Sequence, residues 1–369
     1  MNNYRADLYD TNGVQQASLV GIAEGGFQRI SYRRYLNGKS LATLVIHGEE
    51  ALLSVIGRNW LVSISRKVSG KWSRVFFGLL TEINWSYTDK PVAELVFESP
   101  ISLLDKRVIA YPASTINRTQ FINKPAETIM NTIVKYNATS SGTTADGRVR
   151  NAVSGYPYNR LTVEADGAGG DNLTIYCTWQ SVYQQLRIIA DMTGDDFSIE
   201  WVSSTEWEWQ YHEGGIGTDL SAALLFALER HNLGSPNYRL DYKDYCTVGI
   251  VAGQGEADDR EIEIVLADDH TVDEDTEVFI DARDIEVGDT LGLQTRGSEK
   301  LSEYLVKETF TFSVLQVPNA VYGDDYDLGD LVMVRNPATG EDAKMKVAGD
   351  SVVWSEDGRE DIELDLEAA

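Results

Sequence analysis

Glu206 and Glu208 stand two residues apart, interleaved with Trp207 and Trp209, in the run Glu206-Trp-Glu-Trp-Gln-Tyr211. Successive side chains on a strand point to opposite faces. The two carboxylates would therefore share one face, and Trp207, Trp209 and Tyr211 the other. A carboxylate pair is the machinery of glycoside hydrolysis, and two indoles side by side can stack on sugar. A solvated strand face over an aromatic core has the same pattern. Other chemistry-bearing runs are weaker. Asp273-Glu-Asp275 and Asp324-Asp-Tyr-Asp327 offer oxygen ligands for calcium, but neither follows the twelve-residue calcium loop, whose glycine and distal Glu are misplaced here. Asn37-Gly-Lys-Ser40 ends like a phosphate loop, yet the first glycine such a loop needs falls on Arg33. Gly167-Ala-Gly-Gly170 and Gly214-Gly-Ile-Gly217 lack a strand-to-helix setting and read as turns. There is no Gly-x-Ser-x-Gly elbow, and His47, His212, His231 and His270 form no pair with zinc-ligand spacing. No catalytic, cofactor-binding or metal-ligating residue is assigned, and the chain is expected to be non-enzymatic with no cofactor.

The elements that would position such groups are mostly strands. Eight Trp and eighteen Tyr against eight Pro lean towards β-structure, and 369 residues suffice for several cores. Alternation marks 41–46, 60–65, 76–85 and 93–98, the last with Ala93, Leu95 and Phe97 on one face. Residues 99–107 read as a short helical turn. Pro125 opens a helix over 124–136 with apolar residues at 129, 130, 133 and 134. Residues 138–172 form a long polar loop. A strand over 172–177 leads to a helix that Thr178 could cap and Gly194 ends. A hairpin pairs 197–202 with 207–211. Strands follow at 245–252, 260–266 and 276–281, and Ser298 is the expected cap of a helix over 297–305. Near the C-terminus, 310–315 and the strand opened by Leu328-Gly-Asp330 are joined by a turn-rich loop. Cys177 and Cys246 make no disulfide framework and read as buried thiols.

Charge excludes more than it assigns. The net is −26, but residues 1–120 carry 14 Lys/Arg against 10 Asp/Glu while 121–369 carry 18 against 48. Nucleic-acid affinity comes from cationic contacts to phosphates, so specific nucleic-acid binding is not expected. No stretch approaches the eighteen or so apolar residues of a membrane span, and the N-terminus has no signal-peptide core.

An internal repeat links the two ends. Leu61-Val-Ser-Ile-Ser-Arg66 resembles Leu331-Val-Met-Val-Arg335, Trp85-Ser86 resembles Trp354-Ser355, and Glu94-Leu95 resembles Glu363-Leu364. Ile362, Leu364 and Leu366 keep the phase of Ala93, Leu95 and Phe97, which a one-residue slip would reverse. Two copies of a small β-barrel flanking an inserted middle account for this. So does the general likeness of amphipathic hairpins.

Several segments resemble the baseplate hub, or tail-tip, proteins of long-tailed bacteriophages, a fold shared with contractile injection systems and gene transfer agents. They are Phe76-Phe-Gly-Leu-Leu-Thr-Glu82 with Ala93 to Arg107, Val248-Gly-Ile-Val-Ala-Gly-Gln-Gly255 with Arg260, Phe279-Ile-Asp-Ala-Arg-Asp284 with Leu293 and Gly297, and Tyr326-Asp-Leu-Gly-Asp-Leu-Val-Met-Val334. The resemblance implies a β-rich α+β fold in which two related β-barrels embrace inserted α/β segments. On that basis the chain divides into a first barrel (1–112), an α/β insertion (113–235), a strand-rich connection (236–300) and a second barrel (301–369). It implies a homotrimer whose six barrels give pseudo-sixfold symmetry. That ring would join the hexameric tail tube or distal tail ring to a spike, tape-measure or fibre protein, with DNA leaving through the lumen. The expected location is the tail tip of the virion, after synthesis in the host cytoplasm. The chain stops at Ala369, soon after the last strand, and so looks like a bare hub without a peptidase or lysin extension. A tail-associated cell-wall hydrolase using Glu206 and Glu208, or a carbohydrate- or receptor-binding adhesin using Trp207 and Trp209, are the alternatives.

Overall fold

Alternating apolar and polar residues make strands of most of the first hundred positions: β1 (Tyr4–Tyr9), β2 (Gln15–Val20), β3 (Phe27–Tyr35), β4 (Leu41–His47), β5 (Leu61–Val68), β6 (Lys71–Tyr87) and β7 (Pro91–Glu98). The computed structural model describes residues 3–21, 26–48, 51–87, 89–110, 119–140, 155–177, 179–256, 259–268, 270–271, 275–283, 285–337 and 339–368. The short helix α1 (Ile101–Asp105) closes this part. Next come β8 (Thr119–Pro125), α2 (Ala126–Ala138), β9 (Leu161–Val163), β10 (Asn172–Cys177), α3 (Val182–Thr193), β11 (Asp196–Ser203) and β12 (Glu206–His212). The remainder is β13 (Leu225–Phe226), β14 (Leu233–Asp241), β15 (Val248–Ala252), β16 (Ile262–Leu266), β17 (Glu277–Asp281), α4 (Thr290–Ser302), β18 (Lys307–Val314), β19 (Leu331–Arg335), β20 (Asp342–Ser355) and β21 (Glu360–Ala368). Strand makes up 49% of the chain and helix 16%, a mostly β fold.

One 13-stranded sheet takes β14, β18, β21, β20, β3, β4, β7, β6, β5, β1 and β2 in that order, with β19 on β20 and β13 on β19. Its two halves repeat a pattern. β5, β6 and β7 form an antiparallel meander, as do β19, β20 and β21. β4 flanks β7 as β18 flanks β21, and β3 flanks β4 as β14 flanks β18. Each long strand carries a bulge at the matching step: Leu80 to Glu82 opposite Phe97 and Val96, and Val347 to Gly349 opposite Leu366 and Asp365. With the bulges matched, Tyr87 rather than Trp85 corresponds to Trp354. The Trp-to-Trp match expected from sequence is off by two residues, a slip that leaves the faces unchanged because the side-chain period is two.

The strands do not close into two barrels. β20 is long enough to take β19 along its first half and β3 along its second, so β3 runs both halves into one sheet. A single apolar core lies under them, from Tyr4, Leu44 and Phe97 in one half to Phe312, Trp354 and Leu366 in the other.

A second core belongs to the α/β part. Ile129, Met130, Ile133 and Val134 of α2 pack with Leu186 and Ile189 of α3 over β10, β11 and β12. Gly194 ends α3 with a left-handed φ of 73°, as expected, but Ser181 is its cap, its Oγ accepting from Gln184 N at 3.4 Å. Thr178 lies outside the described residues, as do 141–154 of the long loop. In the third unit α4 covers one face of the β16–β15–β17 sheet. This helix starts at Thr290, seven residues before the expected start, with Asp289 rather than Ser298 as its cap. Gly292 and Gly297 mask its first two turns in the sequence, since glycine disfavours helix. Gly297 is there for contact: a Cβ would lie 2.4 Å from Val265 Cγ2. β18 and β19 follow the expected strands but do not pair with each other. Cys177 is buried, whereas Cys246 is only half-buried.

Candidate functional site

β11 and β12 form the expected hairpin, with Trp201 opposite Trp207 and Ile199 opposite Trp209. The aromatic face is interior. Trp207 and Trp209 are fully buried, Trp209 stacks on Phe197 with centroids 4.9 Å apart, and its Nε1 donates to Asn131 Oδ1 at 2.9 Å. Neither indole can receive a sugar, because the face that would stack is already packed. Glu206 is exposed, and Glu208 accepts from Gln210 Nε2 at 2.8 Å.

The glycine-rich and phosphate-like runs bind the protein's own carboxylates. Gly167 N and Gly169 N donate to Glu127 Oε1 and Oε2 at 2.7 and 2.6 Å. Gly214 N reaches Asp195 Oδ1 at 2.8 Å, and Ile216 N reaches Asp196 Oδ2 at 2.7 Å. Backbone N–H groups collected in turns make anion cradles; here internal anions fill them. The Asn37-Gly-Lys-Ser40 run is the β3–β4 turn and plugs into the same place. Asn37 Oδ1 accepts from Phe197 N at 2.7 Å and Nδ2 donates to Asp196 Oδ1 at 2.8 Å, while Lys39 Nζ meets Asp105 Oδ2 at 2.8 Å. The acidic run 324–327 is likewise engaged: Asp324 by Ser69, Asp325 by Val321 N at 2.8 Å, and Asp327 by Arg34 at 2.7 Å. Residues 273 and 274 of the other acidic run lie outside the described residues. Among the described residues no group of three or more His, Cys, Asp or Glu could hold a metal ion, and no helix is long and apolar enough to cross a membrane.

The charged groups that do converge lie where the two halves meet. Asp350 on β20 is completely buried and takes Arg34 Nε at 2.9 Å and Nη2 at 2.5 Å, the Arg34 backbone N at 3.1 Å, and the Tyr322 hydroxyl. Beside it Arg66 holds Glu360 by two bonds of 2.8 and 2.7 Å and donates to the Tyr322 carbonyl at 2.7 Å, while Tyr4 donates to Glu360 at 2.5 Å. Burial works against the Arg34 charge, but Asp350, Tyr322 and Asp327 outweigh it and hold its pKa well above the ordinary value. Burial also pushes the Tyr4 and Tyr322 hydroxyls far up, so both stay protonated donors. This is a clasp between halves, since no open side is left on Asp350 for a ligand.

Among the described residues, several stretches of the large sheet have a strand neighbour on one side only. β6 pairs β5 only as far as Leu79, and the run Glu82–Tyr87 pairs β7 alone. Its Ile83, Trp85 and Tyr87 are 43%, 56% and 65% exposed, and the last two stack at 6.3 Å. At one end of the sheet β14 has β18 as its one strand neighbour among the described residues, and Tyr238 and Leu240 are 37% and 40% exposed. The sequence pointed to neither edge. Ile83, Trp85 and Tyr87 alternate like any core strand, and Pro236 obscures β14. The Arg34–Asp350 clasp carries no local signal, as its partners are 316 residues apart.

The chain matches the Siphovirus ReqiPepy6 Gp37-like protein family over residues 7–366. The chain belongs to this family. No curated protein matches it. Among solved structures, the Gp37-like chain is similar to the 43 kDa tail protein of prophage MuSo2 from Shewanella oneidensis, with 14% identity, a TM-score of 0.58, and coverage of 99% of this chain and 97% of that one. It is also similar to the tail protein from Neisseria meningitidis MC58, with 13% identity, a TM-score of 0.55, and coverage of 99% and 96%. At these identities the likeness establishes the fold, which is therefore that of phage tail proteins along nearly the whole chain.

Proposed function

We propose that this Gp37-like protein is a structural, non-enzymatic component of a phage tail tip or baseplate: its hub. The observation that carries this reading is a family match across nearly the whole chain, residues 7–366. The recurrence of the meander supports a hub in particular. Two quasi-equivalent modules per chain let three copies present six positions to a hexameric tube or distal tail ring, and three positions to a spike, tape-measure or fibre protein below. In this reading 1–112 and 301–369, with β14, are the ring modules, 113–235 is an α/β insertion and 236–300 a connection. The location is the virion tail tip, and DNA passes through the lumen without sequence-specific contact. The acidity of residues 121–369 suits a conduit, because like charge keeps the polymer from adhering.

The cell-wall hydrolase and adhesin readings lose their main support, since the indoles that would hold sugar are core residues. The test is the native mass of the 41.0 kDa chain alone and with the virion's distal tail protein, together with antibody labelling of intact virions. A trimer that docks on the tail ring and a label at the tail tip are expected. A chain absent from the tail tip overturns the reading.

A further inference from the structure

Within the chain, the second half of β20 is covered by β3, with Gly349 opposite Tyr35, Val352 opposite Tyr32 and Ser355 opposite Arg29. With the bulges matched, Glu82–Tyr87 of β6 corresponds to Gly349–Trp354 of β20. The counterpart of β3 is β14: Tyr238, opposite Phe310, takes the place that Tyr32, opposite Ala42, holds in the other half. The chain thus contains the two strands of a second such joint, β6 and β14, and among the described residues nothing pairs with either along the edges concerned. The exposure follows. Val352 and Trp354 are each 1% exposed, while their counterparts Trp85 and Tyr87 are 56% and 65%; Tyr32 is 2% exposed, and its counterpart Tyr238 is 37%.

We infer that β14 of one copy pairs antiparallel with the Glu82–Tyr87 edge of β6 in a second copy, repeating between chains the joint that β3 and β20 make within one. In this register Trp85 faces Tyr238 of the next copy, Ile83 faces Leu240 and Tyr87 faces Pro236. The two surfaces are different patches of the same chain, so the contact is head-to-tail. Such contacts generate a ring where the rotation closes and a filament where it does not. Strand addition supplies the backbone bonds, and the aromatic side chains supply the anchor. The joint rests on the internal repeat; closure at three copies rests on the proposed hub.

The test is disulfide trapping in the full chain with Cys246→Ser. Differently tagged Trp85→Cys and Tyr238→Cys chains are mixed and oxidised, with Ile83→Cys and Leu240→Cys as a second pair. A covalent dimer in each mixture, and none in either variant alone, is expected. In the double variant Trp85→Cys/Tyr238→Cys the ladder should end in a closed trimer. Trp85→Asp, at an exposed position, should weaken self-association about tenfold or more, as loss of a hot-spot residue does. An oligomer that forms without these cross-links overturns the joint and leaves the hub reading standing. A cross-linked ladder that runs past three copies keeps the joint and overturns the trimer. A chain that stays monomeric and uncross-linked overturns both.

Discussion

Replacing Asp350 by alanine should unfasten the two halves of the large sheet. Asp350 is fully buried and takes four donors: Arg34 Nε, Nη2 and backbone N, and the Tyr322 hydroxyl. Removing one partner of a buried ion pair costs about 3–5 kcal/mol, because the other charge stays desolvated. Arg34 would keep Asp327 at 2.7 Å, and that side chain is half exposed, so the lower end, about 3 kcal/mol, is expected for Asp350→Ala. The reasoning makes a second, opposite demand. Removing the whole polar set together should be mild, since replacing buried ions by apolar groups of similar volume is often neutral. The corresponding positions of the other half already hold Leu240 and Ile83. The triple variant Arg34→Leu/Asp350→Ile/Tyr322→Phe should therefore lie within about 1–2 kcal/mol of the parent. Urea unfolding, followed by fluorescence and circular dichroism in parallel, reads both values from the midpoints, and coincidence of the two signals tests for a single transition. A loss under about 1 kcal/mol for Asp350→Ala, or a triple variant no more stable than the single one, refutes the account of the clasp as a desolvated set.

Three further outcomes follow from the α/β part and its contacts. Trp209→Ala should cost about 3–5 kcal/mol, as emptying an aromatic core site does, whereas Glu206→Gln/Glu208→Gln should shift stability by less than about 0.5 kcal/mol; thermal unfolding of both compares core with surface on one strand. Glu127→Gln should cost about 1–3 kcal/mol, since an amide has one oxygen to offer the two N–H groups of Gly167 and Gly169; hydrogen exchange at those amides should rise. Asp105 is held below its ordinary pKa first by the hydrogen bond from Lys39, with burial opposing and Ser181 assisting. A carboxyl lowered by folding stabilises above its unfolded pKa, about 3.9, and loses that contribution as pH falls through the folded value. The stability gap between the parent and Asp105→Asn, about 0.5–1 kcal/mol for a partly exposed pair at pH 7, should accordingly shrink below about pH 4.

What the sequence disclosed was periodicity, and what it concealed was partnership. The faces of β7 and β21, the apolar stripe of α2 and the hairpin of β11 with β12 could all be read directly, because alternation and helical spacing are local. Trp85 matched Trp354 by identity, but the bulges show that Tyr87 is the true counterpart; only strand register carries that information. Asp289 does not stand out as a cap in the sequence because two glycines follow it in α4, of which Gly297 lets the helix approach Val265 closely. The glycine runs at 167–170 and 214–217 read as turns, which they are, but the carboxylates they hold come from residues as much as 42 positions away. No local pattern distinguishes Ile83, Trp85 and Tyr87 at an open edge from the equally alternating Ala93, Leu95 and Phe97 in the core.

The difference between the two joints has a physical logic. β3 and β20 are tethered in one chain, so their pairing does not have to offset the loss of free translation, and a desolvated ion set that favours selectivity over strength is tolerable there. A joint between copies carries that cost, and Ile83, Trp85, Tyr238 and Leu240 provide apolar area in its place. The same division prevents misassembly. If β14 were to take β20, Leu240 would face the buried Asp350; if β3 were to take β6, Arg34 would face Ile83. Either exchange buries one charge without a partner, which is how specificity is built against a wrong mate. Ile83→Asp should therefore abolish association between copies by placing an unpaired carboxylate opposite Leu240, and Ile83→Asp/Leu240→Arg should restore it by recreating the pair seen inside the chain. Sedimentation of the two variants decides: equal association by both would mean that β6 and β14 do not meet.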